Sequence, residues 1–365
     1  MEKRFLRFFL FFISIILICS FLIINGCARN GSGAASDSSQ ASAESEPDKI
    51  PTETESLLLE SQAEITEESI STTENLLSEE EVLAETKNML TREVQPLIFL
   101  AFLNDNITAL SLENANTAFD DLEKLLKIYE VKYTDKLLSG KDGNYQIQLN
   151  DFVLENPGEK VGELTKDQVL AIPDSDLKNL LFEIFDSGYK LINLEGSWYP
   201  IIDYSRYEVF IDYLSDDYGA YILFRALESN QIFAKDAALQ ITWDELASRV
   251  LAIEDFLLKY PASNKYVEMG NSYYNYLMFY YIGMDNTPAF DYDTNKFKDE
   301  VLASYNKMIS GPENNRFFTV ELISKYLDVI AQNNNTINEN VRKYIRDSYL
   351  RVENKYGILN PYTGT

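Results

Sequence analysis

Apolar residues recur every three or four positions along most of the chain after Ser78, and this spacing places side chains on one face of an α-helix. Prolines fall between the periodic runs, where helices are expected to end. The pattern predicts an all-α fold built as a stack of antiparallel helix pairs. Four predicted helical faces comprise Leu112, Ala115, Phe119, Leu122, Leu126 and Tyr129; Leu177, Leu180, Leu181, Ile184, Gly188 and Leu191; Trp243, Leu246, Ala247, Val250, Ile253, Leu257 and Tyr260; and Val341, Tyr344, Ile345, Ser348 and Val352.

Helix starts are indicated by a hydroxyl residue that is followed three positions later by Glu or Gln, the spacing of a capping box. In such a box, each side chain accepts a hydrogen bond from the backbone N–H group of the other residue. The pattern predicts helices that begin directly after the hydroxyl residue. The pairs are Ser78 and Glu81, Thr165 and Gln168, Thr242 and Glu245, and Thr336 and Glu339.

The stretch 139–174 departs from this helical pattern. It contains four glycines, and polar and apolar residues alternate over 145–149, as is typical of a short strand. We therefore expect an irregular excursion from the helical body here. Long insertions of this kind often carry function.

The first 27 residues have a different character. Basic residues within the first seven positions precede an apolar run over 8–24, and the sequence Ile-Asn-Gly-Cys ends at Cys27. This arrangement resembles the signal peptide of bacterial lipoproteins, which implies cleavage before Cys27 and attachment of lipid to its thiol. An uncleaved signal anchor is the alternative, because the apolar run reaches the lower limit for crossing a bilayer. Both interpretations tether the rest of the chain to the outer face of the cell membrane.

Composition divides the chain into three segments. The predicted signal peptide occupies 1–27. Residues 28–77 are rich in Ser, Gly and Ala and then in Glu, which predicts a disordered acidic linker extended by charge repulsion. Residues 78–365 form the predicted helical globular domain.

The composition also excludes several classes of chemistry. The chain has no histidine, and its two cysteines are Cys19 and Cys27. Ser-His-Asp and Cys-His catalysis and zinc sites of His or Cys are therefore excluded from the domain. We predict neither metal nor other cofactor, and no enzymatic activity. The net charge of −26 predicts no binding to nucleic acid. The usage of Lys, Asn, Ile and Tyr favours a low-GC Gram-positive source.

One short motif argues for an enzyme. Ala226-Leu227-Glu228-Ser229-Asn230 is similar to the catalytic signature of lytic transglycosylases. The resemblance implies that Glu228 acts as a general acid on a glycosidic bond, which requires a raised pKa. The Gly-Leu-Met-Gln element that follows in that family is missing here. The alternative is the exposed end of a helix.

A loop-like segment over 195–204 combines aromatic and acidic residues around Gly and Pro. Aromatic rings flanked by carboxylates suit the stacking of carbohydrate or the binding of peptide. Trp198, Tyr199, Asp203 and Tyr204 are the ligand-binding candidates. The alternative is that the large apolar side chains of this segment fill the core between two helices.

Residues 291–299 partly match a calcium-binding loop. Lys296 stands where Gly is required, and Leu302 stands where the bidentate Glu should be, so we predict no calcium site. Asp293 or Thr294 is instead expected to cap a helix over about 295–308.

The pattern over 243–274 predicts two helices joined by Tyr260-Pro261-Ala262-Ser263. It resembles the helix junctions of tetratricopeptide-like repeats in bacterial envelope lipoproteins. No second copy follows at a fixed period, as a repeat array would require. An ordinary pair of antiparallel helices is the alternative interpretation.

These features favour a membrane-anchored extracytoplasmic lipoprotein with a non-catalytic binding or scaffolding domain, whose partner is a protein, a peptide or cell-wall glycan. The first alternative is a peptidoglycan-cleaving enzyme centred on Glu228. The second is a solute-binding lipoprotein, although the sequence lacks the strand–helix alternation of such two-lobed proteins.

Overall fold

Helices make up most of the described chain, and the all-α prediction is confirmed. The computed structural model describes residues 77–158 and 162–359. Cys27, the predicted signal peptide and residues 28–76 of the predicted linker lie outside the described residues. The α-helices are α1 (Glu79–Thr91), α2 (Pro96–Asn106), α3 (Leu112–Glu155), α4 (Lys166–Val169), α5 (Ser175–Asp186), α6 (Asp216–Asn230), α7 (Trp243–Lys259), α8 (Tyr266–Ile282), α9 (Asp299–Ser310), α10 (Phe318–Gln332) and α11 (Glu339–Tyr356).

Successive helices pack as pairs across short turns. Helices α7 and α8 contact each other along their lengths, as do α9 and α10, while α11 packs on α10. The segment 243–274 therefore forms a helix hairpin, which both interpretations of it expect. No helix within 77–158 or 162–359 has the length and the apolar character needed to cross a bilayer.

Short antiparallel strands interrupt the helical body. The three-stranded sheet has the order β1-β2-β3, and the predicted helical face over 177–191 was wrong beyond Asp186 because Leu191 lies in β2, paired with Pro200 of β3. Two further pairs, β4–β5 and β6–β7, are hairpins of two residues per strand. The strands are β1 (Glu163–Leu164), β2 (Tyr189–Leu194), β3 (Ser197–Ile202), β4 (Ala234–Lys235), β5 (Ala238–Leu239), β6 (Gly283–Met284) and β7 (Thr287–Pro288).

The predicted helix caps are mostly confirmed. The boxes that begin at Ser78 and Thr165 are complete, and the Thr242 side chain accepts a hydrogen bond from the Glu245 N–H group. The fourth prediction was wrong. Asn338, and not Thr336, caps α11, because its side-chain oxygen accepts hydrogen bonds from the first free N–H groups of that helix.

The expected excursion over 139–174 is shorter than predicted, because α3 continues to Glu155. The predicted strand over 145–149 was wrong. Tyr145 and Leu149 are buried while Ile147 is exposed, which is the period of a helix and not of a strand. Two residues of this stretch have an unusual backbone conformation. Lys141 and Gly143 have φ angles of +42° and +83°, and these left-handed residues interrupt the regular geometry of α3.

Tyrosines fill much of the core and also complete its hydrogen bonding. The Tyr305 hydroxyl donates to the carbonyl oxygens of Tyr280 and Tyr281, at 2.7 and 3.0 Å, and the Tyr326 hydroxyl donates to Tyr281 at 3.2 Å. These carbonyls belong to the last turn of α8, where no helical N–H group remains to bind them. The buried phenols therefore both pack the core and cap the end of a central helix.

Two glycines that follow helices provide a matched test of backbone geometry. Gly283 and Gly357 have φ angles of +74° and +67°. A Cβ atom at Gly283 would lie 2.3 Å from the carbonyl oxygen of Thr287, whereas one at Gly357 would meet no heavy atom within 4 Å. We expect Gly357→Ala to lower the free energy of unfolding by about 1 kcal/mol and Gly283→Ala by about 3 kcal/mol. Chemical denaturation measures both, and equal losses would contradict the crowding around Gly283.

Candidate functional site

Three tight turns from distant parts of the chain meet at one place on the domain. The β2–β3 turn at Glu195–Gly196 and the β4–β5 turn at Asp236–Ala237 both have positive φ at each residue, as in type I′ hairpins. The Glu195 N–H group donates to the Asp236 carboxylate at 3.0 Å. Asn286, in the β6–β7 turn, donates its side-chain amide to the Asp236 carbonyl at 2.7 Å and its N–H group to the Ala237 carbonyl at 2.9 Å. These bonds hold the three turns together.

Ala237 is the unusual member of this cluster. Alanine at a φ of +56° is strained, because its Cβ atom crowds the backbone in the left-handed region. Such strain persists only where neighbouring interactions hold the backbone in place. Here the hydrogen bond from Asn286 and the pairing of β4 with β5 do so.

A cleft of about 680 Å³ opens beside these turns, within the size range of ligand-binding sites. Its walls come from the edge of the three-stranded sheet, the end of α6 and the two small hairpins. Side-chain amides dominate the lining, which offers both hydrogen-bond donors and acceptors. The lining residues are Gly162, Glu163, Ile192, Asn193, Ser229, Asn230, Gln231, Ile232, Lys235, Asp236, Ala238, Gln240 and Asn286.

Two cations fix the orientation of the amides on one wall. Lys190 donates to the side-chain oxygen of Asn230 at 3.0 Å, and Arg249 donates to that of Gln231 at 3.4 Å. Since a cation binds only the oxygen of an amide, the NH₂ groups of both residues remain as donors, and we find no partner for them within the described chain. This wall, together with Lys235, is therefore rich in donors.

The hairpin that carries Lys235 and the neighbouring β6–β7 turn also supply acceptors, which we call the acceptor wall. The Gln240 amide nitrogen lies 3.5 Å from the Lys235 carbonyl and 3.4 Å from the Ala238 carbonyl, so its oxygen remains as an acceptor. The Asn286 amide nitrogen is likewise engaged by the Asp236 carbonyl. The cleft thus offers both donor groups and acceptor groups to one ligand.

The predicted ligand loop over 195–204 is instead a hairpin, and it lies partly in the core. Trp198 is 1% exposed, its indole N–H group donates to Asn150 at 2.9 Å, and its backbone N–H group donates to Gln146 at 2.7 Å. Tyr204 is also buried and donates to Glu123 at 2.6 Å. Interpreting these two rings as surface platforms was wrong, because no face of either ring is open to a ligand.

The other two candidates of that segment are half-buried. Asp203 lies 3.3 Å from the Lys190 ammonium group, and it accepts a hydrogen bond from the Ser205 hydroxyl at 2.7 Å. Tyr199 lies in β3, opposite Ile192. Neither residue lines the cleft, although Lys190 links Asp203 to Asn230 on its donor wall.

Glu228 lies near the end of α6, one residue before the cleft lining begins. Arg225 donates to one oxygen of its carboxylate at 2.6 Å, and the Tyr276 hydroxyl donates to the other at 2.9 Å. Arg225 also contacts Glu268 at 2.9 Å. Both oxygens of Glu228 therefore serve an internal ion-pair network, and Glu228 does not line the cleft.

A buried ionic cluster joins α3 to the residue that precedes α8, and it was missed in the sequence. Lys265 is 5% exposed and contacts Glu123 at 2.7 Å and Asp120 at 2.6 Å. The hydroxyls of Tyr204 and Tyr221 also donate to Glu123. Burial raises the pKa of Glu123, but the attraction of Lys265 and Lys127 and these hydrogen bonds outweigh it and lower the pKa to about 2. The signal was available, because Glu123 is four positions from Phe119 on a predicted apolar face.

The residues of the rejected calcium loop have a structural role. The Asp291 carboxylate accepts hydrogen bonds from the Thr294 N–H and hydroxyl groups, both at 2.8 Å. The expected helix over 295–308 begins later, at Asp299, so Asp293 and Thr294 do not cap it. Within the part of the chain that the structure describes, no group of three acidic residues could hold a metal ion.

Comparison of the chain with protein-family models, with curated proteins and with solved structures finds no match. Function is therefore inferred from the geometry of the cleft and from the sequence. The cleft was missed because its amide residues come from a strand, a helix end and two turns, and nothing in the sequence groups them. The one available signal was Ser229-Asn230, which the alternative interpretation of the Glu228 motif placed at the end of a helix.

Proposed function

We propose that this chain is a lipid-anchored extracytoplasmic protein whose cleft binds a cell-wall component without catalysing a reaction. The observation that carries the proposal is the amide-lined cleft at the junction of three hydrogen-bonded turns. The proposed location outside the cytoplasm rests on the resemblance of residues 1–27 to a lipoprotein signal peptide, with Cys27 as the lipidated residue.

The chemistry of the lining suits a ligand that is rich in hydroxyl and amide groups. A side-chain amide both donates and accepts hydrogen bonds, and so do sugar hydroxyls and peptide groups. Peptidoglycan carries both kinds of group. The bonds between the turns fix the walls before the ligand arrives, which reduces the entropy lost on binding. An acidic chain is also a poor match for nucleic acid or for anionic lipid surfaces.

Filling the cleft tests the proposal. Ala238 lies on β5 and lines the cleft, so a large ring at this position would occupy the ligand volume. We expect Ala238→Trp to reduce the affinity of the full chain for purified peptidoglycan at least about tenfold, measured by co-sedimentation over a range of protein concentrations.

A tryptophan on another surface provides the matched control. Ala331 is exposed on α10, away from the cleft lining, and Ala331→Trp should bind peptidoglycan like the unmodified chain. Circular dichroism would confirm that both variants keep their helix content. Unchanged binding by a folded Ala238→Trp variant would contradict the proposal, as would no binding by the unmodified chain.

A further inference from the structure

We infer that the ligand is a short peptide with a free carboxylate, which binds between Lys235, Asn230 and Gln231 on the donor wall of the cleft. The inference rests on the proposed function and names the chemical class that the same cleft selects.

Lys235 is the charged group that carries the argument. It lines the cleft and is half-buried, and we find no carboxylate within salt-bridge distance of its ammonium group among the described residues. A Cβ atom at Gly162 would lie 2.8 Å from the Lys235 Nζ atom. The glycine therefore leaves the space in which the ammonium group lies. A half-buried cation without a partner is an unfavourable arrangement that an anionic ligand would relieve.

The neighbouring amides complete a recognition site for a carboxylate. Lys190 and Arg249 hold the oxygens of Asn230 and Gln231, so both residues offer their NH₂ groups as donors. Hydrogen bonds to an ionised acceptor are stronger and shorter than those between neutral groups. An ammonium group and two amide donors in one cleft thus match the two oxygens of a carboxylate.

The acceptor groups of the cleft suit the rest of the peptide. The side-chain oxygens of Gln240 and Asn286 and the carboxylate of Asp236 face the N–H groups or the ammonium group of a peptide. Lys235 is the one cation of the lining, which also contains the carboxylates of Glu163 and Asp236, and the net charge of −26 repels a polyanion such as a phosphate polymer. The cleft therefore favours a zwitterionic or monoanionic peptide.

Titration with a matched pair of peptides tests the inference. The full chain in detergent micelles is titrated calorimetrically with Ala-Ala-Ala and with its C-terminal amide, each in all-L and all-D form. We expect at least one acid form to bind about tenfold or more tightly than the corresponding amide. Lys235→Met should remove this preference. Lys87→Met, which alters an exposed lysine on α1, should retain it.

The outcomes separate the inference from the proposed function. Equal binding of acid and amide, binding of neither, or a preference that survives in Lys235→Met would overturn the inference. If the chain still binds peptidoglycan and Ala238→Trp still abolishes that binding, then the cleft remains the binding site and only the carboxylate assignment fails. If the peptides discriminate as expected while peptidoglycan does not bind, then the wall-binding proposal fails and the carboxylate site stands.

Discussion

Lys265→Met is expected to lower the free energy of unfolding by about 3–5 kcal/mol, because it removes the buried cation of Glu123 and leaves only the exposed Lys127, 3.6 Å away. Glu123 is 4% exposed, and both members of the pair lie inside the helical body. Lys265 also lies over the rings of Tyr218 and Tyr221, with its Nζ atom 5.1 and 4.8 Å from the ring centroids. The substitution removes these cation–π contacts as well. Urea denaturation followed by circular dichroism measures the loss.

A double variant separates the charge from the packing. Glu123→Gln combined with Lys265→Met removes both charges, so it should recover a large part of the stability that either single variant loses. If the double variant is destabilised by the sum of the two single losses, the two residues are not coupled and the ion pair does not stabilise the core.

The same cluster predicts a dependence on pH. The pKa of Glu123 is about 2 in the folded chain, below its ordinary value near 4.5. Its stabilisation is therefore fully present above about pH 4.5 and is lost as the pH falls toward 2, for a total of about 3 kcal/mol. Denaturation curves between pH 6 and 2.5 should show a smaller loss in the double variant than in the unmodified chain.

Glu254→Ala is expected to cause a loss of similar size, about 3–5 kcal/mol, through a different mechanism. Glu254 is fully buried on α7 and accepts hydrogen bonds from the Phe318 and Thr319 N–H groups, at 2.5 and 3.0 Å, at the start of α10. The Tyr356 hydroxyl of α11 also donates to it. This one carboxylate therefore caps a helix N-terminus and joins three helices. Its removal leaves three donors without an acceptor, of which the Thr319 N–H group and the Tyr356 hydroxyl are buried.

Tyr356→Phe provides the graded control for that variant. It removes one donor and leaves the cap of α10 in place, so we expect a loss of about 1 kcal/mol. Thermal unfolding of both variants gives the comparison. A Glu254→Ala variant that is no less stable than Tyr356→Phe would show that the cap contributes nothing.

The helices were predictable because their signals are local. The period of apolar residues and the capping pairs lie within single segments, as at Ser78 and Thr242, and packing then buries the faces that the period defines. The hairpin over 189–202 was missed for a related reason. Alternate positions are buried in β3 but not in β2, where Leu191 also extends the helical period of α5. Gly188, with a φ of +90°, follows the end of that helix.

Glu123 on an apolar face was a visible signal, but the partners that form the ionic cluster and the cleft were not predictable because they come from distant segments. Lys265 follows Glu123 by 142 positions, and Asn286 follows Asp236 by 50. The sequence shows only an isolated charge on an apolar face and ordinary turn amides. The segment around Trp198 was selected for its aromatic and acidic residues. Large aromatic side chains suit ligand stacking, but they also bury the most area in a core.

Hydrogen exchange of the full chain tests the central claim, that the cleft at the three turns is the binding site, most directly. Backbone exchange is measured by mass spectrometry with and without soluble peptidoglycan fragments. We predict slower exchange in the segments 192–196, 229–240 and 283–288 when the fragments are present, and unchanged exchange in α1 and α11. Unchanged exchange in these three segments, with protection elsewhere or nowhere, would contradict the claim.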